Sequence, residues 1–263
     1  MGEYCKTKEL YGLIGFPLGH SWSAIYFNEK FRSEGDANKE YRLFPLKNPD
    51  EFPDLLEKYP ELKGLNVTIP YKEKIIPYLN KLDESARLVG AVNTIRIMRK
   101  FGITLTIGYN TDSKGFFQTL EDHELPGPAL ILGTGGAAKA VAQALREKNI
   151  PFSFVSRKHR GKGVITYNDI SIDVITSHLL IINATPLGMY PDIDKYPPIP
   201  YHHLSGNHFL YDLIYNPEET EFIKLGKAMN TKTMNGKQML INQAELSYRV
   251  FTLEFPFSSP DSD

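Results

Sequence analysis

The sequence predicts an α/β protein, because short apolar strands alternate with amphipathic helical segments along most of its 263 residues. The clearest unit begins with the apolar strand Ala129 to Leu132, which runs through a glycine turn into residues with apolar side chains at helical spacing. A second strand, Phe152 to Val155, completes a βαβ unit. Strand and helix also alternate in the first half, and the length allows one large domain or two modest ones.

The composition limits the classes of partner and location. Apolar residues make up 41% of the chain and charged residues 23%, and 30 basic against 31 acidic residues leave a net charge of −1. No overall field therefore favours nucleic acid or an anionic membrane, and no apolar run reaches membrane-spanning length. The single cysteine, Cys5, suits a reducing compartment, and the polar stretch Met1 to Glu9 lacks the apolar region of a signal peptide. We expect a cytoplasmic protein.

The first strand, Leu10 to Gly15, leads to a helix whose expected end is Gly35. Ser21 and Ser23 flank Trp22 at the start of that helix. Serine is a favoured N-cap, so one interpretation is helix capping. Two hydroxyls at a helix N-terminus can equally bind a carboxylate.

Two further strands, Tyr41 to Leu46 and Leu65 to Ile69, enclose a helix that covers residues 52–59. Asn66 and Thr68 lie on one face of the second of these strands, because side chains alternate along a strand.

Pro70 ends the hydrogen-bonded ladder of this strand, so Lys72 is predicted to lie just beyond its C-terminal end. Open α/β sheets bind their ligands at that edge. A single lysine is more often a solvated surface residue, so the position alone leaves both interpretations open.

The strands Ala91 to Met98 and Ile103 to Tyr109 come next, and Asn93 lies early in the first. The second runs into polar residues that precede a helix carrying Phe116 to Leu120. Among these polar residues Asp112 can serve as the helix N-cap.

The glycine turn has the form G-x-G-x-x-A, which is typical of dinucleotide-binding folds. Gly133 permits the tight bend, Gly135 allows close approach of a pyrophosphate, and Ala138 is small enough for the helix to pack on its strand. The helix N-terminus then offers unpaired N–H groups to phosphates. An ordinary strand-to-helix turn is the alternative.

Basic residues follow the second strand of this unit, where such folds bind the adenosine ribose. Ser156 is followed by Arg157 and Lys158, with Arg160 nearby. Cations at this position suit the 2′-phosphate of NADP, whereas an acid would suit NAD. A solvated basic loop is the alternative interpretation.

The remaining predicted strands are Leu179 to Ile182, Phe209 to Ile214 and Lys232 to Met234. A helix is expected to begin around Asn216-Pro217, and a last helix after the turn Asn235-Gly236. The end of the chain, from Ser258, is expected to fray. The adjacent His202 and His203 fit a surface loop, the chain has no Cys/His ligand pattern, and we expect no metal.

Seven segments in sequence resemble the shikimate dehydrogenase family in order and spacing over nearly the whole chain. They are NVTIPYK (66–72), GAVNT (90–94), NTD (110–112), GTGGAA (133–138), NATPLGM (183–189), YDLIYNP (211–217) and the glutamine of Gln243-Ala244. The resemblance implies two domains, an N-terminal α/β domain that binds shikimate and a C-terminal Rossmann domain that binds NADP. Their expected bounds are 1–110 plus 236–263 for the first and 111–235 for the second, in a protein that is a monomer or a homodimer.

The resemblance also implies which residues form the site. Ser21 and Ser23 are expected to hold the substrate carboxylate. The other residues expected to contact the substrate are Asn66, Thr68, Asn93, Asp112, Tyr215 and Gln243. The residues expected to contact the cofactor are Glu84, Gly133, Thr134, Gly135, Gly136, Ala137, Ser156, Arg157, Lys158, Thr185, Leu213 and Gly236.

Lys72 and Asp112 match the family's catalytic pair. Reducing 3-dehydroshikimate to shikimate with NADPH requires a proton for the carbonyl oxygen as hydride reaches the carbonyl carbon. Lys72 is expected to stabilise and protonate that oxygen, and Asp112 to orient the ammonium.

The sequence departs from the family at a few positions. Ser113 replaces a common glycine, Leu213 a frequent methionine, and Lys158 the threonine of a frequent Asn-Arg-Thr. The alternatives are a quinate or quinate/shikimate dehydrogenase that uses NAD, a non-catalytic sensor that binds shikimate-like ligands, and another dehydrogenase with a similar Rossmann half. An acid after the second Rossmann strand would favour the first, but Arg157 stands there.

Overall fold

A computed structural model describes residues 8–19, 21–121, 123, 125–158, 161 and 163–253. Cys5, Arg160 and the residues from Ser258 onward lie outside this part of the chain. Within it, the chain forms two separate β-sheets flanked by helices. This agrees with the predicted α/β class.

The first sheet has six strands in the described residues, in the order β2-β1-β3-β5-β6-β4. The strands are β1 Glu9–Gly15, β2 Lys39–Pro45, β3 Leu62–Val67, β4 Lys81–Leu82, β5 Thr94–Lys100 and β6 Ile103–Tyr109. The helices α1 Trp22–Ser33, α2 Phe52–Lys58 and α3 Glu84–Val89 connect them. β1 pairs in parallel with β2 and β3, and β5 pairs antiparallel with β3 and β6, so the sheet is mixed.

The second sheet is parallel throughout the described residues, in the order β12-β11-β10-β7-β8-β9. Its strands are β7 Ala129–Leu132, β8 Phe152–Ser156, β9 Val164–Thr166, β10 Leu180–Asn183, β11 Phe209–Asp212 and β12 Lys232–Met234. The remaining helices are α4 Asp112–Thr119, α5 Gly136–Glu147, α6 Ile172–Ser177, α7 Glu221–Ala228 and α8 Lys237–Thr252. The order reverses between β7 and β10, and doubly wound sheets bind nucleotides at such a switch point.

The last helix, α8, begins after the edge strand of the second sheet and packs on the first. Its buried Ala244 and Phe251 share an apolar cluster with Tyr11, Leu13 and Tyr41 of β1 and β2. A Cβ at Gly64 in β3 would overlap the Phe251 ring, so this helix lies directly on the sheet. Residues distant in sequence therefore complete the core of the first half.

Two predictions about helix starts are wrong. α7 begins at Glu221 rather than near Asn216, because Thr220 takes the cap position and its hydroxyl accepts a hydrogen bond from the Ile223 N–H. Asp112 is the first residue of α4 and not its N-cap.

Several elements differ in detail from the predicted ones, among them β2, which covers Lys39–Pro45 instead of 41–46, and β11, which ends at Asp212 instead of Ile214. The predicted strand 91–98 begins only at Thr94, and the predicted strand 65–69 is shifted to Leu62–Val67. At α1, Ser21 occupies the N-cap position but makes no side-chain capping bond. Among the described residues, no helix is both long and apolar enough to cross a membrane.

Candidate active site

Lys72 and Asp112 form an ion pair between the two sheets. Lys72 follows β3 and Asp112 opens α4, and the Lys72 Nζ lies 2.6 Å from the Asp112 Oδ2. The Lys72 side chain is 19% exposed and that of Asp112 only 7%. The ammonium can therefore reach a ligand, while the carboxylate behind it is shielded from water.

Asn93 holds the other side of the Asp112 carboxylate. The Asn93 Nδ2 donates to the Asp112 Oδ1 at 2.8 Å and to the Thr111 Oγ1 at 2.8 Å. The Asn93 Oδ1 accepts from the backbone N–H of Thr111 at 2.7 Å. Both oxygens of the carboxylate thus have partners, which fixes its orientation toward Lys72.

Asn66 is buried beside this group. Its Oδ1 accepts from the Tyr41 hydroxyl at 2.8 Å, and its Nδ2 donates to the Ser247 Oγ at 2.9 Å. Gln243 comes from the same helix as Ser247, and its Oε1 lies 3.4 Å from the Asn93 Nδ2. The structure therefore brings Asn66, Asn93 and Gln243 together with Lys72 and Asp112.

Ser21 is the N-cap residue of α1, Ser23 lies in the first turn of that helix, and Thr68 directly follows β3. Ser21, Ser23 and Thr68 are all half-buried, and a Cβ at Gly15 would overlap the Thr68 methyl group. In the described part of the chain, neither serine hydroxyl makes a hydrogen bond, so both are open to a ligand. Tyr215 is also half-buried, and burial raises the pKa of its phenol.

The glycine turn adjoins the ion pair and fits a dinucleotide. Gly133 has a φ of +113°, and a Cβ there would lie 3.0 Å from the Ala184 carbonyl oxygen. At Gly135 a Cβ would have no described heavy atom within 4 Å, which leaves room for a phosphate. A Cβ on Gly136 would lie 3.2 Å from the Lys72 Cβ, so the start of α5 faces the lysine. Within the described residues no side chain caps this helix.

Arg157 and Lys158 are exposed after β8, and Ser156 is buried. The positive charge of Arg157 lowers the pKa of the Tyr167 phenol, although burial, the larger effect, raises that pKa to about 12. Two cations thus stand at the carboxyl end of β8, beside the glycine turn that follows the adjacent strand β7. Exposed cations at this edge can pair with a phosphate.

A hydrogen-bonded chain supports the loops after β10 and β11. The Thr185 Oγ1 donates to the Asn183 Oδ1 at 2.6 Å, and the Asn183 Nδ2 donates to the Asp212 Oδ1 at 3.0 Å. The fully buried Asp212 also accepts from the Ile214 N–H and the Thr220 hydroxyl. Burial raises the pKa of Asp212 to about 6, against these hydrogen bonds, which lower it.

Gly236 and Glu84 are also expected to contact the cofactor, and their surroundings differ from each other. Gly236 packs closely against Leu213. A Cβ at Gly236 would overlap the Leu213 carbonyl group. Glu84 is exposed in the first turn of α3, which packs against α5 through Val89 and Ala140.

Several residues of the site were not predicted from the sequence. They are Tyr41, Thr94, Thr111, Asn183, Asp212 and Ser247. A signal existed for Ser247, because it follows Gln243 by four residues and so shares its helix face. The others adjoin motif residues or lie within motifs, but the sequence does not say which buried polar groups pair.

The fold and site define a class of protein, a two-part α/β dehydrogenase with a lysine and a carboxylate beside a nucleotide-binding turn. Residues 13–95 match the family model described as the shikimate dehydrogenase substrate binding domain. The NADP-dependent shikimate dehydrogenase of Desulforamulus reducens is 35% identical, with 95% of this chain and 92% of that protein covered. That of Clostridium beijerinckii is 40% identical, with 90% and 89% covered.

Solved structures that resemble this chain are also shikimate dehydrogenases. The shikimate 5-dehydrogenase of Thermus thermophilus in complex with NADP(H) and shikimate superposes with a TM-score of 0.80 at 29% identity, covering 93% of each chain. Shikimate dehydrogenase 1 of Peptoclostridium difficile gives 0.81 at 32% identity, covering 95% of this chain and 94% of that one. The chain belongs to the shikimate dehydrogenase family.

Proposed function

We propose that the protein catalyses the reversible, NADPH-linked reduction of 3-dehydroshikimate to shikimate, a step of the shikimate pathway to aromatic amino acids. The observation that carries this function is the Lys72–Asp112 pair beside the glycine turn. The pair occurs in a chain that aligns over 95% of its length with an NADP-dependent shikimate dehydrogenase.

Lys72 acts as the proton donor. NADPH, when bound, supplies a hydride to the carbonyl carbon of the substrate. The carbonyl oxygen gains negative charge, and the Lys72 ammonium stabilises this charge and transfers a proton to it. In the oxidation direction, the neutral amine of Lys72 removes the proton from the hydroxyl group. Asp112, held by Asn93, keeps the ammonium in place.

The other polar groups bind the substrate. The unpaired hydroxyls of Ser21 and Ser23 hold its carboxylate at the start of α1. The ring hydroxyls face Asn66, Thr68, Asn93, Asp112 and Gln243, and Tyr215 lines the floor of the cleft. Amides supply both donors and acceptors, which suits a ligand that carries several hydroxyls.

The residues around the glycine turn hold NADP. The turn Gly133 to Ala137 and the start of α5 take the pyrophosphate, and Ser156, Arg157 and Lys158 take the adenosine 2′-phosphate. Thr185, Leu213, Gly236 and Glu84 lie toward the nicotinamide end.

We further propose that the substrate-binding domain comprises residues 1–110 plus 236–263 and the cofactor-binding domain residues 111–235. The packing of α8 on the first sheet supports the discontinuous first domain. Both catalytic groups come from one chain, so either a monomer or a homodimer has a complete site. A single cysteine suits the reducing cytoplasm, where we place the reaction.

The test is an absorbance assay of nicotinamide reduction with purified protein. Shikimate and quinate are each combined with NADP and NAD. Turnover with shikimate and NADP well above the other combinations is the expected result. Equal or greater turnover with quinate and NAD would instead identify a quinate dehydrogenase, and no turnover in any combination would favour a shikimate-binding sensor.

A further inference from the structure

Ser247 of α8 lies at the centre of a buried polar cluster behind the candidate site. Its side chain is fully buried. The Ser247 Oγ accepts from the Asn66 Nδ2 at 2.9 Å and lies 2.7 Å from the Thr94 Oγ1 and 3.0 Å from the Thr111 Oγ1. These partners belong to β3, to β5 and to the residue before α4. One hydroxyl therefore joins three segments that surround the site.

The bonds of Ser247 are all made outside its own helix. A buried serine in a helix commonly donates to the carbonyl oxygen four residues earlier. Among the described residues, the Ser247 hydroxyl has no such bond to the backbone of α8. The Ser247 hydroxyl thus forms its hydrogen bonds with neighbouring segments and not with its own helix.

Ser247 is one of the partners that orient the Asn66 amide. Burial raises the pKa of the Tyr41 phenol well above its ordinary value, so Tyr41 stays protonated and donates to the Asn66 Oδ1. Ser247 accepts at the opposite end of the same amide. The Asn66 Nδ2 also lies 3.3 Å from the Asn93 carbonyl oxygen and from the Thr94 Oγ1, so Ser247 is the nearest of its three acceptors. Together with Tyr41 at the Oδ1, these contacts hold the amide in one orientation.

The same hydroxyl supports Asn93 through Thr111. The Thr111 Oγ1 lies between the Ser247 Oγ and the Asn93 Nδ2, which continues to Asp112. Ser247 is therefore one hydrogen bond from Asn66, but several bonds from the ion pair that transfers the proton.

We propose that Ser247 is a positioning residue that sets the orientation of Asn66, and through Thr111 that of Asn93, for binding the ring hydroxyls of the substrate. This inference rests on the proposed function, since it concerns the same site. It predicts a role in substrate affinity more than in turnover.

The test compares Ser247→Ala with the wild type in steady-state kinetics. We expect the KM for shikimate to rise about fivefold, the effect of one lost neutral hydrogen bond, with kcat and the KM for NADP nearly unchanged. Alanine favours helices, so the variant should fold. Ser247→Cys, which is similar in shape but forms only weak hydrogen bonds, should also raise the KM for shikimate.

A double-mutant cycle separates positioning from general stability. In an Asn66→Ala background, Ser247→Ala should raise KM less than in the wild type, because one of the two amides that it orients is gone. Thr119→Val is the matched control: it deletes another buried hydroxyl, bonded to the Phe116 carbonyl and to Tyr211, away from the site. It should lower the melting temperature without raising KM. An unchanged KM in Ser247→Ala, or an equal rise in both backgrounds, would overturn the proposal.

A binding measurement distinguishes this proposal from the proposed function. Shikimate alone should raise the melting temperature of the wild type, and less so that of Ser247→Ala at the same concentration. If the wild type shows this shift without turnover, the enzymatic function is wrong and the shift still tests Ser247. If shikimate neither reacts nor shifts the melting temperature, both proposals are wrong.

Discussion

Lys72 is the residue at which the two parts of the site meet, since its ammonium contacts Asp112 and its stem faces the start of α5. Lys72→Met removes the proposed proton donor but keeps most of the aliphatic volume. We expect kcat to fall by about 10² to 10⁴, the usual contribution of a positioned acid or base, with a much smaller change in the KM for shikimate. Steady-state kinetics in both directions measure this.

Lys74 provides the control for Lys72, because it is an exposed lysine on the same loop. Lys74→Met should leave kcat and KM unchanged. A Lys72→Met enzyme with wild-type kcat would contradict the assigned role. Asn93 continues to hold Asp112 in the variant, so loss of the carboxylate's position is not the expected cause of the defect.

Asp212 makes the stability of the protein depend on pH. Burial raises its folded-state pKa from the ordinary 3.8 to about 6. The folded state therefore binds the proton more tightly than the unfolded state, and the contribution of this group is lost as pH rises through about 4 to 6, by at most about 3 kcal/mol. Asp212→Asn can keep the bonds from Asn183 and Ile214 and lacks the titration.

Chemical denaturation of both proteins across this pH range tests the expectation. The free energy of unfolding of the wild type should fall relative to that of Asp212→Asn as pH rises through the window. Parallel curves would show that Asp212 does not titrate there.

At the scale of elements, we propose that the loop after β8 determines the choice of cofactor. Arg157→Ala removes the cation proposed to pair with the 2′-phosphate, and we expect the KM for NADP to rise about tenfold or more. The KM for NAD, which lacks that phosphate, should change little. Kinetics with both cofactors measure the ratio.

Lys232→Ala is the matched control for Arg157, since it removes one exposed positive charge from β12 at the opposite edge of the same sheet. Lys232→Ala should leave the ratio of the KM for NADP to the KM for NAD unchanged. If Arg157→Ala raised the KM for NADP and the KM for NAD equally, Arg157 would not distinguish the 2′-phosphate.

Three strands, each beside a turn that contains glycine, could be predicted from the sequence with their exact bounds. The strands Ala129–Leu132, Ile103–Tyr109 and Lys232–Met234 have the predicted bounds. β4 has two residues and β9 three, too few for a period to appear. α3 and α6 have six residues each and depend on their caps Asp83 and Ser171.

The candidate site was predictable where residue type follows from chemistry, as for the lysine, the carboxylate and the glycines. The buried hydrogen bonds that hold these residues in place could not be predicted. Asn183 and Asp212 lie in motifs that the sequence singles out, but their mutual bond depends on the register of β10 against β11. Ser247 reaches Thr94 across 153 positions of the chain, a pairing that only tertiary packing determines.

At the scale of the whole molecule, the two halves are joined by α4 and α8. The ion pair between Lys139 and Glu73, at 2.6 Å, also connects them, but both side chains are more than a third exposed and the pair contributes little to stability. The helix contacts therefore matter more. α8 follows the second sheet in the chain and packs its apolar face on the first.

The proposed discontinuous domain predicts how the molecule unfolds. The single tryptophan, Trp22, packs against the same apolar cluster as Phe251, whose ring centroid lies 5.2 Å from that of Tyr11. Phe251→Ala removes a buried ring at the far end of the chain, and we expect it to lower the unfolding free energy reported by Trp22 fluorescence by about 3 to 5 kcal/mol. Phe222→Ala, which removes a fully buried ring in α7 of the second half, should shift that signal less. If Phe251→Ala leaves the Trp22 transition unchanged, α8 does not belong to the first domain.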